Sequence, residues 1–194
     1  MIRTKEDYRY FIERDRIALG VLTRGVRARL RNVLFPNPIW KFQRIMRKLE
    51  YLTNVKGGGI FRLWYRWRYR RMSIKLGFSI PINTFGPGLS IAHYGPIIIN
   101  PACKVGKNCR IHACVNIGAS GGSMAAPQIG DNAYIGPSAV LFGDITLADN
   151  ITVGANATVN KSCEEQYVVL AGSPARIVKR DCPVWWKTNG IDLS

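Results

Sequence analysis

The chain has 194 residues, with 28 Lys and Arg against 12 Asp and Glu, so its formal net charge is +16. Hydrophobic residues make up 47% of the chain, which is enough for a packed core and argues against wholesale disorder. No apolar run approaches the roughly 18–20 residues of a membrane span, and the charged N-terminus lacks the apolar core of a signal peptide. We therefore expect a cytoplasmic protein, either soluble or peripheral at the inner face of the plasma membrane.

A basic α-helical region is predicted over residues 1–77. Residues 4–18 form a short helix with Thr4 as its N-cap, because aromatic and aliphatic side chains recur on one face at helical spacing. Residues 39–52 form an amphipathic helix with Lys and Arg on its outer face. Residues 61–76 interleave arginines with Trp and Tyr and are also expected to be helical.

The positive charge is concentrated in residues 21–75, which hold fifteen basic side chains and one acid, Glu50. Such a stretch can be a set of structural helices that support an oligomer, a membrane-surface element, a platform for a polyanionic glycan or a nucleic-acid-binding surface. Arginine beside Trp and Tyr is typical of the lipid interface, where rings lie at headgroup level and guanidinium groups meet phosphates. We therefore favour an anionic membrane surface or a lipid-linked glycan, and nucleic acid is the least favoured partner.

Beyond residue 78 the helical periodicity ends and a period of six residues begins. One aliphatic residue recurs at every sixth position, with a single gap of twelve between Ile117 and Ile129. Glycine often follows it, and a small or aliphatic residue occupies the fourth position after it. The recurring residues are Ile99, Val105, Ile111, Ile117, Ile129, Ile135, Leu141, Leu147, Val153 and Val159.

A period of six fits neither a helix nor an alternating strand. It predicts a coil with three flat faces of about six residues each, in which the aliphatic residues point inward and successive coils stack as parallel strands. We expect this coil to occupy residues 78–180 and a C-terminal tail to occupy residues 181–194. The sequence thus predicts a mainly β solenoid preceded by helices.

The cysteines and histidines do not form the pattern of a metal site. Five cysteines occur without CxxC spacing, and only two histidines are present. We therefore expect free thiols in a reducing compartment and no bound metal.

Two segments carry a resemblance to a known family. Residues 171–176 read AGSPAR, and residues 86–99 read GPGLSIAHYGPIII. Together with the repeats, they resemble the hexapeptide-repeat acyltransferases, in the serine-acetyltransferase-like branch and closest to the O-acetyltransferases of bacterial capsule and exopolysaccharide clusters. The resemblance implies a left-handed parallel β-helix, acetyl-CoA as donor, a hydroxyl as acceptor and a homotrimer with active sites between subunits.

The resemblance also implies a catalytic histidine, which is His93 in this chain. Attack of a hydroxyl on a thioester requires a base, and histidine titrates near neutrality, so His93 is expected to act as the general base. His112, which follows the inward-facing Ile111, is a secondary candidate as base, orienter or substrate ligand, although a solvated surface histidine is the favoured interpretation. We expect His93 to be oriented by a backbone carbonyl, by Asn83 or Asn100, or by a neighbouring subunit.

The same resemblance implies where the co-substrate acetyl-CoA binds. The pantetheine arm is expected along turn residues of the later coils, and the nucleotide phosphates at basic residues after the last coil. The loop of residues 120–128 is expected to project toward the acceptor or a neighbouring subunit. The matching positions for acetyl-CoA are Gly136, Pro137, Ala155, Asn160, Lys161, Arg176 and Lys179.

The chain departs from serine acetyltransferases at three positions where that family has acidic or histidine side chains, and here they are Phe78, Ala92 and Ala126. The missing groups help to bind the ammonium group of serine, so we expect a carbohydrate acceptor instead. The acceptor would be a sugar hydroxyl of a bacterial surface polysaccharide or of its lipid-linked precursor. A polyprenyl-phosphate-linked glycan would then meet residues 21–75. The alternatives are a serine O-acetyltransferase of cysteine biosynthesis and a non-catalytic trimeric scaffold.

Overall fold

A computed structural model of the chain describes residues 1–21, 34–35, 37–55 and 58–193. Part of the basic stretch predicted over residues 21–75 lies outside these ranges. The described residues form N-terminal helices, a β-solenoid and a short helix near the C-terminus.

Helices lie at the three places where the N-terminal sequence predicts them. At the start of the first helix, the Thr4 hydroxyl accepts a hydrogen bond from the Asp7 amide at 3.0 Å. The Asp7 carboxylate accepts one from the Thr4 amide at 2.9 Å, so this pair satisfies amides that the helix itself leaves unpaired. The helices are α1 (Lys5–Ala18), α2 (Pro38–Asn54), α3 (Gly59–Leu76) and, after the solenoid, α4 (Trp185–Thr188).

The solenoid consists of short strands. They are β1 (Phe78–Ser79), β2 (Ser90–Ile91), β3 (Ile97–Ile99), β4 (Lys104–Val105), β5 (Arg110–Ile111), β6 (Val115–Gly118), β7 (Gln128–Ile129), β8 (Tyr134–Ile135), β9 (Val140–Phe142), β10 (Thr146–Leu147), β11 (Thr152–Val153), β12 (Thr158–Val159), β13 (Val169–Gly172) and β14 (Ala175–Lys179).

Three parallel sheets form the three faces of the coil. The first sheet has the order β1-β3-β6-β9-β12, the second β10-β7-β4, and the third β14-β13-β11-β8-β5-β2. Within the third sheet Ile111 pairs with Ile135, and Ile135 pairs with Val153. Strand β14 is antiparallel to β13 and ends the sheet, and the segment AGSPAR forms the connection between these two strands.

The residues of the six-residue repeat line the interior of the coil, as the period predicts. All ten are buried. Most residues at the fourth position after them are buried too, for example Cys109, Ala133 and Ala157. Because each inward residue contacts its equivalents in the adjacent coils, the core is a continuous column of small, similar contacts.

One corner of the coil shows why the repeat needs glycine and asparagine. A Cβ atom on Gly106 would lie 2.7 Å from the carbonyl carbon of Gly130 in the next coil, so only glycine fits there. Nearby, Asn108, Asn132 and Asn150 have positive φ angles of 55°, 59° and 61°, a conformation that asparagine tolerates. Their side chains form a ladder, since each Nδ2 donates to the Oδ1 of the next asparagine at 2.9 and 2.8 Å.

A buried ion cluster around Arg47 of α2 attaches the helices to the first coil. The guanidinium donates to Asp15 of α1 at 2.8 Å and to Glu50 at 3.0 Å, and all three side chains are buried. It also donates to the carbonyl oxygens of Phe85 and Gly86 at 2.9 and 2.7 Å. Although burial opposes the charge, the two carboxylates hold the pKa of Arg47 above its ordinary value.

The helices and the solenoid share one core. Asp15 accepts hydrogen bonds from the amides of Gly88 and Leu89 at 2.9 and 2.8 Å, so α1 contacts the first coil directly. Phe42 of α2 packs edge-on against Phe78 of β1, with ring centroids 5.0 Å apart. The helices therefore close the N-terminal end of the coil.

The segment after the solenoid packs back against α1 and the asparagine ladder. Trp185 Nε1 donates to the carbonyl oxygen of Asn108 at 2.7 Å, and Trp186 Nε1 donates to Asn132 Oδ1 at 3.0 Å. Both tryptophans belong to an apolar cluster that includes Ala18 of α1.

Candidate active site

His93 lies at a corner of the coil, two residues beyond β2. This corner joins the third sheet to the first, and the turns of successive coils stack on one another there. The amides of Cys114, Ser138 and Asn156 each donate to a carbonyl of the preceding coil, which holds the stack together. We call this stack the histidine corner, defined by residues 92–96, 112–114, 136–138 and 154–156.

His112 lies one coil further along the same corner and contacts two aromatic rings. Its ring centroid is 5.9 Å from that of His93 and 5.0 Å from that of Tyr134. The His93 side chain is exposed, whereas His112 is half-buried. His112 Nε2 is shielded from solvent and has no hydrogen-bond partner among the residues that the structure describes. The interpretation of His112 as a solvated surface histidine is therefore wrong.

The surroundings of His112 keep it neutral. Burial lowers the pKa of His112, and the nearby Arg110 and His93 lower it further. At neutral pH the side chain is therefore an uncharged imidazole.

Sequence reasoning missed Arg110 and Tyr134 as neighbours of the histidines. Arg110 Nη1 donates to Ser90 Oγ at 2.9 Å, and its guanidinium lies 5.5 Å from the ring centroid of Trp185. Ser90, Arg110 and Tyr134 occupy the same position in three successive coils of the third sheet. Each stands directly before an inward isoleucine, so superposing the repeats would have placed them in one row.

Three of the positions predicted for acetyl-CoA lie at the histidine corner. Gly136, Pro137 and Ala155 belong to the two coils that follow that of His112, and Pro137 and Ala155 are exposed. A Cβ atom on Gly136 would lie 2.8 Å from the amide nitrogen of Ala155, so close stacking requires the glycine. Since each coil adds about 4.8 Å, the corner extends about 14 Å from His93 to Ala155.

The other four positions lie elsewhere near the end of the coil. Asn160 and Lys161 are exposed at the next corner, directly after β12. Arg176 and Lys179 are exposed on β14, and Arg176 is opposite Ala171. Lys161, Arg176 and Lys179 are thus solvent-exposed cations near the end of the coil, and their charge suits phosphate groups.

Neither asparagine proposed to orient His93 is shown to contact it. Asn83 Nδ2 donates to Asn54 Oδ1 at 3.0 Å, and its amide donates to Glu50, so it belongs to the helix attachment. Asn100 Oδ1 accepts from the Ala102 amide at 2.9 Å. Among the described residues, the ring contact of His93 is with His112.

Two of the thiols, those of Cys103 and Cys109, are buried inside the coil. Burial raises the pKa of Cys103 to about 12 and raises that of Cys109 as well, so both stay protonated. No group of three or more His, Cys, Asp or Glu side chains in the described part of the chain could hold a metal ion.

Known proteins resemble the chain over part of its length. No family model matches it. A serine acetyltransferase of Staphylococcus xylosus is 36% identical over 103 residues, which are 52% of this chain and 47% of that protein. A serine acetyltransferase of Staphylococcus epidermidis is 33% identical over 103 residues, 52% of this chain and 48% of that protein. The chain thus spans about half the length of the curated relatives it matches.

Solved structures of serine acetyltransferases share the fold. That of Neisseria gonorrhoeae has a TM-score of 0.72 and 22% identity, and the match covers 98% of this chain and 73% of that one. The soybean enzyme complexed with serine has a TM-score of 0.72 and 21% identity, over 90% of this chain and 70% of that one. A serine acetyltransferase in complex with CoA has a TM-score of 0.62 and 20% identity, over 89% of this chain and 68% of that one.

These similarities support the hexapeptide-repeat acetyltransferase resemblance and correct its finer part. The capsule and exopolysaccharide branch is not supported, and the expected transfer of acetyl to a sugar hydroxyl is wrong, because the relatives are named serine acetyltransferases. That expectation rested on three departures from the serine acetyltransferases. Two of these, Phe78 and Ala126, are buried. Phe78 and Ala126 therefore contribute to the packing of the coil, so their identity does not by itself indicate the acceptor.

Proposed function

We propose that the chain is an acetyl-CoA-dependent O-acetyltransferase whose acceptor is serine. The observation that carries the proposal is the histidine corner, where the exposed His93 contacts His112 and the stacked turns continue to Ala155. The staphylococcal relatives support serine as the acceptor, and the neighbours solved with serine and with CoA support the same pair of ligands.

His93 acts as the general base. Its imidazole takes the proton of the serine hydroxyl while the hydroxyl oxygen attacks the thioester carbonyl of acetyl-CoA. The carbon–sulfur bond then breaks, and the proton passes from His93 to the departing CoA thiolate. Such proton transfer contributes roughly 10²–10⁴-fold to a rate. The exposure of His93 leaves its imidazole accessible to both substrates.

His112 acts as a positioning residue beside His93. Its ring contact restricts the His93 imidazole, and its lowered pKa keeps it uncharged. A neutral neighbour does not oppose the positive charge that His93 acquires when it takes the proton. Arg110, close enough to affect the pKa of His112, supplies a guanidinium that can pair with the carboxylate of serine.

Acetyl-CoA lies along the histidine corner in this proposal. The pantetheine arm follows Gly136, Pro137 and Ala155, and Asn160 marks the edge of its groove. The phosphates meet the exposed side chains of Lys161, Arg176 and Lys179. A neighbouring subunit of a homotrimer completes the groove. In this proposal the coil is left-handed, as in the family it resembles. The protein acts in the cytoplasm.

A thiol-release assay with purified protein, acetyl-CoA and L-serine tests the proposal. We expect CoA release that depends on serine, and a His93→Ala variant whose kcat is lower by roughly 10²–10⁴-fold with acetyl-CoA binding retained. Tyr10→Ser, which changes an exposed side chain on α1, serves as the control and should keep full activity.

Three results would contradict the proposal in separable ways. Absence of acetyl-CoA binding would remove the co-substrate and leave a scaffold. Binding without serine-dependent release would remove serine as the acceptor. Full activity of His93→Ala would remove the general base.

A further inference from the structure

Helix α3 has an apolar face that the rest of the described chain leaves uncovered. Its inner side holds Tyr69, which stacks on Phe42 of α2 with ring centroids 5.4 Å apart, and donates a hydrogen bond to the carbonyl oxygen of Ile80. Leu76 at the end of the helix is buried. The outer stripe is exposed and consists of Ile60 (77%), Leu63 (60%), Trp64 (48%), Trp67 (55%) and Ile74 (72%).

The spacing of these exposed residues places them on one side of the helix. Positions 60, 63, 64, 67 and 74 follow the three- and four-residue steps of one helical face, opposite the side that carries Tyr65 and Tyr69. Ile60, Phe61 and Trp64 line a shallow apolar depression of about 310 Å³. Exposed aromatic and aliphatic side chains gathered on one face indicate an interaction surface.

The same helix carries six cations and no acid. The guanidinium of Arg68 lies 4.5 Å from the ring centroid of Trp64, and that of Arg71 lies 4.9 Å from that of Trp67. The six side chains are Arg62, Arg66, Arg68, Arg70, Arg71 and Lys75. Positive charge therefore lies along the exposed apolar stripe and at its sides.

We propose that α3 is a docking surface for an anionic lipid membrane, with the stripe Ile60–Leu63–Trp64–Trp67–Ile74 entering the headgroup region and the flanking arginines pairing with lipid phosphates. Tryptophan rings favour this depth of the bilayer, and arginine side chains can extend from it to phosphate oxygens. Each cation near an anionic membrane contributes about a fivefold gain in affinity. The attachment is parallel to the surface, because the exposed stripe runs along the length of α3. No helix in the described residues has the length and apolar character needed to span a bilayer.

The composition of the surface distinguishes a membrane from its competitors. A second copy of this helix would bring six cations against six cations, with no acid on α3 to pair with them. Single-stranded nucleic acid would use the tryptophans for stacking, but it offers nothing to Ile60, Leu63 and Ile74. Lipid satisfies both the aliphatic side chains and the cations.

Vesicle flotation with the full chain tests this surface. Purified protein is mixed at low salt with phosphatidylcholine vesicles, with and without phosphatidylglycerol. We expect flotation with the anionic vesicles, much weaker flotation with the neutral ones, and loss of binding near 1 M salt, where charges are screened beyond about 3 Å.

Two double variants separate the apolar and the charged parts of the surface. Trp64→Ser with Trp67→Ser should weaken binding roughly tenfold or more, whereas Tyr10→Ser, an exposed aromatic on α1, should not. Arg66→Gln with Arg70→Gln should weaken binding about twenty-fivefold. Lys5→Gln with Arg9→Gln removes the same charge from the exposed side of α1 and should have a much smaller effect.

Several results would overturn the proposal without touching the acetyl-transfer assay. One is no flotation of the wild type with anionic vesicles at low salt, and another is equal flotation with neutral vesicles. If the tryptophan variant instead dissociates an oligomer in sedimentation velocity, the stripe is an interface between copies. If single-stranded RNA binds more tightly than the vesicles, the surface belongs to nucleic acid.

Discussion

The β-solenoid and the N-terminal helices differ in how their stabilising contacts are distributed. In the solenoid, ten equivalent aliphatic residues are buried in three stacks, one for each face, and the same small contact is repeated from coil to coil. In the helical part, the guanidinium of Arg47 alone joins α1, α2 and the first coil through five hydrogen bonds. A repeat spreads stability over many similar residues, whereas at the helical end a single buried cation makes several of the attaching contacts.

Arginine itself shows the same contrast. Arg47 is fully buried between two carboxylates, while the arginines of α3 lie along an exposed apolar stripe. The first arginine holds the fold together, and the second group is free to bind something outside the chain. Residue type alone does not distinguish these roles. An arginine has a structural role where the fold places carboxylates beside its guanidinium, as it does at Arg47.

The largest expected effect comes from removing the buried cation. Arg47→Ala leaves Asp15 and Glu50 buried without their partner and should lower the free energy of unfolding by about 3–5 kcal/mol. The exposed Arg44 lies on the same helix, and Arg44→Ala should change stability by less than about 0.5 kcal/mol. Urea unfolding of both variants measures the difference. Equal, small effects would show that the helical end is not held by this cluster.

Within the solenoid, one inward residue should matter less than Arg47 but still substantially. Ile135→Ala removes three buried carbons from the column and should cost about 2–5 kcal/mol. Ile98, on β3 of the same solenoid, is 49% exposed. Ile98→Ala is therefore the matched control, and it should lower the free energy of unfolding by less than about 1 kcal/mol. A similar loss in both variants would contradict the inward assignment of the six-residue repeat.

The solenoid was predictable because its signal is local and repeated. Period six specifies which residues point inward, and all ten recurring residues are buried. Helices α1 to α3 were predictable for a similar reason, since helical spacing is read within a single segment. The position of His93 at a corner does not follow from the period, because counting six residues back from Ile99 gives an inward position, whereas His93 is exposed.

What the sequence did not reveal depends on contacts between distant segments. Asp15, Arg47 and Gly88 come from α1, α2 and the loop before β2, and no periodicity links them. The burial of His112 likewise depends on Tyr134 in the next coil, 22 positions later in the chain. The acceptor could not be predicted for another reason, because three single side chains do not by themselves identify an acceptor.

The asparagine ladder gives a smaller expected effect. Asn132 donates to Asn150 and accepts from Asn108 and Trp186, so its replacement breaks three side-chain hydrogen bonds. Asn132→Gly keeps the positive φ angle accessible and should lower stability by about 1–3 kcal/mol. Asn156→Gly, at an exposed residue with φ of 56°, is the control and should be nearly neutral. Thermal unfolding of the two variants compares them directly.

The smallest expected effect is the pH dependence that His112 brings to the coil. Its pKa in the folded protein lies below the ordinary 6.5, chiefly because burial disfavours the charged form. The unfolded chain therefore binds the proton more readily below about pH 6.5, and stability falls as the pH falls through that value. His112→Gln removes this contribution, so its stability should change less than that of the wild type between about pH 7 and pH 5.

An NMR titration of the imidazole resonances measures the same property at the site. The resonance that disappears in His112→Gln identifies the residue, and its midpoint should lie below 6.5 in the wild type. Replacing Arg110 with Gln removes one of the charges that lower this pKa, so the midpoint should rise. A midpoint at or above 6.5 in the wild type would mean that His112 is solvated, and the histidine corner would then hold two surface histidines without a neutral partner for His93.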